Sequence, residues 1–247
     1  MTHTRDYQAD FYGTHQAVRN RRSRLDKAAK ITWVLERYCP VDRRHLCVDV
    51  GSSSGVMTAA LSPLFAQTLG VDFDALALAE VAGEDRQRAS FLRGDAMRLP
   101  LADASVDVVV CAQVYEHVPD DRRLFAEVHR ILKPGGLVYF SGPNWLFPIE
   151  FHYNLPFLHW LSPALADRVL RALGRDSQYY ERSRSYADLR RQLAAFTIRD
   201  VTPELVAAGH LVATPWARKL LMNLPAVHWP ITLRLTPNFN WLLEKPA

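Results

Sequence analysis

The chain has 247 residues, of which 49% are hydrophobic, 23% charged and 11% aromatic. Such a composition excludes collagen, a coiled coil and a disordered chain, and the length suffices for one sizeable core or two small ones. Lys plus Arg number 30 against 26 Asp plus Glu, a net charge of +4, yet residues 1–45 alone hold ten basic and five acidic side chains. The basic excess is therefore a local patch, unlike the all-round charge of a histone-like chain.

Three cysteines, Cys39, Cys47 and Cys111, are odd in number and show no C-x-x-C spacing. A disulfide framework and a cysteine zinc site are not expected, and no metal site of any kind is. The first residues lack an apolar signal region, and no run of about 18 uninterrupted apolar residues occurs. A reduced cytoplasmic protein is the expectation.

From Val18 to Tyr38, the residues Leu25, Ala28, Ala29, Thr32, Leu35 and Tyr38 recur at three- and four-residue spacing. Arg19, Arg21, Arg22, Arg24, Lys27 and Lys30 lie between them, which predicts an amphipathic helix with a basic face, ended before Pro40. Ahead of it, Tyr7, Phe11 and Tyr12 read either as a loose terminus or as a cover for a ligand. Short aliphatic runs then alternate with helical patterns: Leu46 to Val50, Gln67 to Val71, Ala89 to Arg93, Val106 to Cys111 and Leu137 to Ser141. This alternation predicts an α/β fold, a parallel sheet with helices on both faces. Sheets of this kind bind ligands at the carboxyl ends of their strands, so the residues just after each run carry most of the functional information.

After Ser141 the pattern changes. Residues 143–185 are rich in proline and aromatics, which suggests an irregular or helical cover. Strand-like runs resume at Phe196 to Val201 and at Phe239 to Leu243. Between them Leu220 to Leu233 is apolar and uncharged but interrupted by Pro225 and Pro230.

The first run ends in Val48-Asp49-Val50-Gly51-Ser52-Ser53-Ser54-Gly55. Small residues there let the backbone turn tightly against a ligand, although a plain strand-to-helix turn reads the same way. The second run ends in Val71-Asp72-Phe73-Asp74, with Asp72 about twenty residues beyond the turn, where a carboxylate can accept both hydroxyls of a ribose. A nicotinamide site would need G-x-G-x-x-G, and here Ser53 and Val56 stand at the second and third glycine positions. Arg93-Gly94-Asp95-Ala96 and Gln113-Val114-Tyr115-Glu116-His117-Val118 close the third and fourth runs, and Leu132-Lys133-Pro134-Gly135-Gly136 enters the fifth.

These motifs, in this order and over roughly residues 40–145, resemble the class I S-adenosylmethionine-dependent methyltransferases, in particular the type 11 methyltransferase domain of the small-molecule branch. The resemblance implies a Rossmann-like sheet of seven strands, the last antiparallel, with a cap inserted after the fifth. It implies S-adenosyl-L-methionine as cofactor. Asp49 would lie near the methionine amino group, with Gly51, Ser53 and Gly55 in the turn against the cofactor. Asp72 would hold the ribose, Phe73 would flank the adenine, Asp95 and Ala96 would meet its amino group, and Gln113 would lie beside the methionine moiety. Ser53 departs from the family's usual glycine, which predicts a slightly wider turn. The segment from Pro143-Asn144-Trp145 to Pro156-Phe157 also resembles methyltransferases found with sugar and polysaccharide biosynthesis. The chain then divides into an N-terminal helical segment (1–45), a cofactor-binding core (46–142), a substrate cap (143–195) and the C-terminal strands of the same domain with an apolar insertion (196–247).

The function expected on this basis is methyl transfer to a small-molecule acceptor, at a hydroxyl first, on a sugar, glycan or lipid-linked intermediate. His117 and His152 are the candidate bases, and Asn144, His152 and Tyr153 the candidate acceptor contacts. For His117 a loop-fixing role is the stronger alternative, and for the aromatic cap plain packing is an equal one. The basic helix face reads as a solvated surface, an anionic-substrate site or an RNA site; with Leu220 to Leu233 it also suggests contact with an anionic membrane. RNA methylation and a non-catalytic cofactor-binding protein are the rival functions. Nucleic acid is not the expected partner, since no Asn/Asp-Pro-Pro-aromatic motif follows the fourth run. Oligomeric state is left open.

Overall fold

A computed structural model describes residues 11–14, 19–150, 152–175, 179–211 and 234–247. Tyr7 and the apolar run Leu220 to Leu233 lie outside the described residues, as do the side chains of Phe11 and Phe151. The chain opens with α1 (Phe11–Thr14) and α2 (Arg21–Tyr38). Asn20 caps α2 by accepting from the Ser23 N–H, and Pro40 ends it.

Then come β1 (Leu46–Val50), α3 (Val56–Leu61), β2 (Gln67–Asp72), α4 (Ala75–Ala79), α5 (Gly83–Arg86), β3 (Ser90–Arg93), β4 (Val106–Ala112), α6 (Asp121–Ile131) and β5 (Leu132–Pro143). The segment after β5 is a cover: a two-strand ladder of β6 (Ile149–Glu150) and β7 (Leu155–Pro156), then α7 (Pro163–Ala172). It has its own small core of Tyr153, Leu158, Ala166, Leu170 and Tyr179. Next, α8 (Tyr186–Gln192), β8 (Thr197–Asp200), α9 (Thr202–Ala208) and β9 (Asn238–Glu244) return to the main body.

Seven of these strands form one sheet in the order β3, β2, β1, β4, β5, β9, β8. β9 runs antiparallel to both neighbours and every other pair whose strands are adjacent is parallel. The α/β class, the seven strands and the antiparallel last strand agree with the sequence expectation.

The central strands are apolar because both faces are covered. Along β4, Val109 and Cys111 enter one core with Leu124, Val128 and Ile131 of α6, while Val108 and Val110 enter the other with Ile31 and Leu35 of α2. The helix predicted before β1 forms, but its buried stripe differs from the expected one. Ala28, Ile31, Val34 and Leu35 are buried, whereas Leu25 and Ala29 are exposed. Ile31 and Val34 supply the larger apolar area, so the helix rotates to bury them.

Candidate active site at the carboxyl ends of the strands

The turn after β1 demands its glycines. Gly51 has φ +77°, and a Cβ there would come within 2.6 Å of Val114 Cγ2. Gly55, at φ +76°, caps α3, and a Cβ there would come within 2.7 Å of the Phe91 ring. Between them Ser53 adopts φ +51°, the left-handed region that glycine occupies without strain. The turn thus keeps a glycine's backbone despite carrying serine, and the widening expected from Ser53 is not needed.

Asp49, in β1, is fully buried. Its Oδ2 accepts from the Thr58 hydroxyl at 2.6 Å, whereas Oδ1 has no hydrogen-bond partner among the described residues. Burial pushes its carboxyl up to about 7, against the opposing effects of Thr58 and the Arg24 guanidinium. A buried carboxylate oxygen with no donor is what a cationic ligand group would complete.

At the end of β2, Asp72 accepts from the Ser53 N–H at 2.7 Å and from the Asp74 N–H at 2.8 Å. Burial raises its carboxyl, and these two bonds oppose the rise. Asp74 caps α4 and also accepts from the Tyr12 N–H at 2.8 Å, which fixes α1 beside this acid. The Arg93 guanidinium lies 5.5 Å over the Phe73 ring and donates to the Phe73 carbonyl. Asp95 accepts from the Met97 N–H at 2.9 Å, and Ala96 packs at the edge of the core beneath. Gln113 follows β4 with φ +61°; its N–H donates to Ser141 and its amide to Asn238. Asp49, Gly51, Ser53, Gly55, Asp72, Phe73, Asp95, Ala96 and Gln113 therefore occupy successive strand ends along one rim of the sheet.

Across that rim a second group of polar residues is enclosed by the cap. Glu116 is fully buried, and neither carboxylate oxygen has a hydrogen-bond partner among the described residues. His117 Nε2 lies 3.8 Å from Glu116 Oε1, and the His117 and His152 rings meet edge to face at 4.9 Å. His152 Nδ1 lies 2.7 Å from Glu150 Oε1, whose other oxygen accepts from the Tyr153 N–H. Glu181, only 4% exposed, adds a third acid. Burial pulls the His152 imidazole down, but the Glu150 bond and the charges of Glu181, Glu150 and Glu116 outweigh it and lift it to about 9. Burial likewise lifts Glu116 to about 7. The two candidate histidines, 35 positions apart, are thus brought together with acids the sequence reading did not single out.

Two candidate acceptor contacts have other tasks. Asn144 is buried; its amide donates to the Arg234 and Thr236 carbonyls and its oxygen accepts from the Leu146 N–H. These backbone bonds tie the start of the cap to the segment just before β9, a structural task for Asn144 beside its expected acceptor contact. Tyr153 stacks near Tyr179 in the cap core, 9% exposed, which is the packing alternative.

The wall opposite the cap is α2. Arg24, Lys27 and Lys30, spaced by three, lie along one of its faces. Lys30 donates to Asn240 Oδ1 at 3.0 Å, and burial brings its ammonium down to about 8. Lys27 is exposed, and the surrounding protein and the Arg24 charge both lower its ammonium. Arg24, lowered by burial, is held up by Asp49 and Asp72. The outer basic residues differ: Arg21 pairs with Glu84 and Asp85. The spacing of the three inward cations was visible in the sequence, but their direction was not.

Residues 48–140 match the model of a family described as a methyltransferase domain, type 11. Among curated proteins, an uncharacterized methyltransferase of Mycobacterium leprae is 37% identical over 138 residues, which are 55% of this chain and 50% of that protein. One from Mycobacterium bovis is 40% identical over 129 residues, 51% of this chain and 49% of that one. The chain spans about half the length of the curated relatives it matches. An S-adenosylmethionine-dependent methyltransferase from Mesorhizobium loti superposes with a TM-score of 0.56 at 19% identity, over 85% of this chain and 95% of that one. A geranyl diphosphate methyltransferase solved with S-adenosylmethionine gives 0.55 at 15% identity, over 89% and 85%. Likeness at such identities shows the fold alone. Among the described residues no helix is long and apolar enough to cross a membrane.

Proposed function

We propose that this chain, a class I methyltransferase by the domain at residues 48–140, moves a methyl group from S-adenosylmethionine to a hydroxyl of a small, anionic acceptor. The observation that carries the cofactor reading is the partnerless, buried Oδ1 of Asp49 on the same rim as the preset carboxylate of Asp72. Asp49 would take the amino group of the methionine moiety, Asp72 the ribose hydroxyls, Phe73 the adenine face and Asp95 with Ala96 its amino edge. Gln113 would flank the methionine chain. When bound, S-adenosylmethionine supplies an electrophilic methyl group on a sulfonium sulfur.

The protein's part is alignment and exclusion of water. The cap closes over the end of β4, and His117 and His152 face the space where an acceptor hydroxyl must lose its proton. Arg24, Lys27 and Lys30 supply positive charge on the opposite wall, which favours a phosphate- or carboxylate-bearing acceptor. A sugar phosphate or lipid-linked diphosphate fits that chemistry, and the geranyl diphosphate methyltransferase of the same fold is named for a substrate of that charge. Contact with an anionic membrane would rest on Arg22 and its exposed neighbours, and vesicle co-sedimentation at low salt tests it.

Calorimetric titration with S-adenosylmethionine and S-adenosylhomocysteine, with NAD as control, tests the cofactor reading. Binding of the first two and not of NAD is expected; failure of both to bind overturns the assignment. Turnover with phosphorylated hydroxyl acceptors then separates an enzyme from a non-catalytic binding protein.

A further inference from the structure

We propose that Glu116, His117 and His152 form a site for a divalent cation of the zinc type at the acceptor end of the cleft. One carboxylate oxygen of Glu116 and one ring nitrogen from each histidine lie within 4.8 Å of one another. Glu116 is fully buried, and both of its carboxylate oxygens lack a hydrogen-bond partner. A carboxylate in that position is retained at a large desolvation cost unless a cation or donors complete it.

The surroundings are those of a supported ligand set. His152 Nδ1 is engaged by Glu150 Oε1 at 2.7 Å, which fixes the ring and leaves Nε2 as the nitrogen that would take the cation in exchange for its proton. A carboxylate behind a ligating histidine orients it and raises its basicity. Glu150 is itself fixed by the Tyr153 N–H. Counting Glu181, three buried acids surround two imidazoles. Lys27 faces Glu116 from α2 without a hydrogen bond to it. Two imidazole nitrogens and one carboxylate oxygen make a borderline donor set of the kind zinc takes in catalytic sites, with further positions open.

Zinc bonds of about 2.0–2.1 Å hold tetrahedral donors about 3.3 Å apart. His117 Nε2 and Glu116 Oε1 lie at 3.8 Å and the whole set within 4.8 Å, so a bound cation would draw the donors together by up to about 1.5 Å. The open positions would face the acceptor, where a Lewis acid lowers the pKa of a bound hydroxyl as it does that of water. That role rests on the methyl-transfer reading; cation binding itself does not.

The test is titration of the chelator-stripped protein with Co2+, read by visible absorption, followed by displacement with Zn2+. One cobalt per chain with the strong bands of four- or five-coordination is expected. Glu116→Gln and His152→Asn should each abolish them, and Glu150→Gln should weaken binding by about ten- to a hundredfold. Thermal melts identify any variant that fails to fold, and the wild-type titration stands without them. No such bands in the wild type, or equal cobalt binding by wild type and both folded ligand variants, overturns the site. S-adenosylmethionine titration of the same samples keeps the two readings apart: cofactor binding without cobalt binding overturns only the cation site, and cobalt binding without cofactor binding overturns only the cofactor reading.

Discussion

Asp72 and Ser53, nineteen positions apart, are joined by a 2.7 Å hydrogen bond from the Ser53 N–H to Asp72 Oδ2. The turn after β1 and the end of β2 therefore hold one carboxylate in a fixed orientation. With the Asp74 N–H on Oδ1, both oxygens are fixed and each keeps a lone pair directed outward.

Asp72→Ala should weaken S-adenosylmethionine binding by roughly 1.5–3 kcal/mol, the contribution of hydrogen bonds to a charged group. Calorimetry measures it, and an unchanged dissociation constant would show that the ribose lies elsewhere. Asp72→Asn should lose most of the same affinity, because its amide nitrogen would have to face one of the two backbone N–H donors.

Ser53 holds a left-handed backbone at φ +51°. Relief of that conformation is worth about 1–2 kcal/mol, and glycine's freedom in the unfolded chain takes back about 0.5–1. Ser53→Gly should thus raise stability by roughly 0.5–1 kcal/mol, read from the denaturation midpoint. A loss of stability would mean that the serine hydroxyl makes a bond the turn depends on.

The Asp49 carboxyl titrates near 7 in the folded protein against an ordinary value of 3.8. The folded state holds that proton more tightly than the unfolded chain does. This group therefore favours folding most at low pH, and its contribution falls as pH rises from about 3.8 to 7 and is constant above. A bound ammonium prefers the ionised form. Cofactor affinity should rise about tenfold per pH unit up to roughly neutral pH and then level, with one proton released on binding below that point. Calorimetry in buffers of different ionisation enthalpy counts the proton. In Asp49→Asn both the pH dependence and the proton release should disappear.

Lys27, exposed on α2 and within electrostatic reach of Glu116, makes no hydrogen bond among the described residues. Lys27→Gln should raise KM for a phosphorylated acceptor about tenfold or more while leaving the cofactor's dissociation constant unchanged. An equal effect on a neutral acceptor of the same shape would show that the lysine shapes the cleft and does not read charge.

The sheet was legible in the sequence because each buried parallel strand must be a short apolar run, and the strand order fixes where those runs end. Leu46–Val50 was read to the residue and Val106–Cys111 to within one. The fifth strand was read short, at Leu137–Ser141 against Leu132–Pro143. Its added residues pair through distant partners, Gly142 with Phe239 and Pro143 with Asn238, and proline and glycine give no local strand signal.

The rim of strand ends was legible for the same reason, since Asp49, Asp72, Asp95 and Gln113 lie within two residues of a strand's end. The structural task of Asn144 was not legible, because its backbone partners include residues some ninety positions away. The chain by itself determined the sheet and the order of strand ends, through the two-residue and helical periods of its apolar residues. Only the tertiary structure decided that Glu116, Glu150 and Glu181 are buried near His152 and that Lys30 reaches Asn240. In the sequence a charged side chain reads as surface, and it becomes part of a site when the cap or α2 folds over it and removes its water.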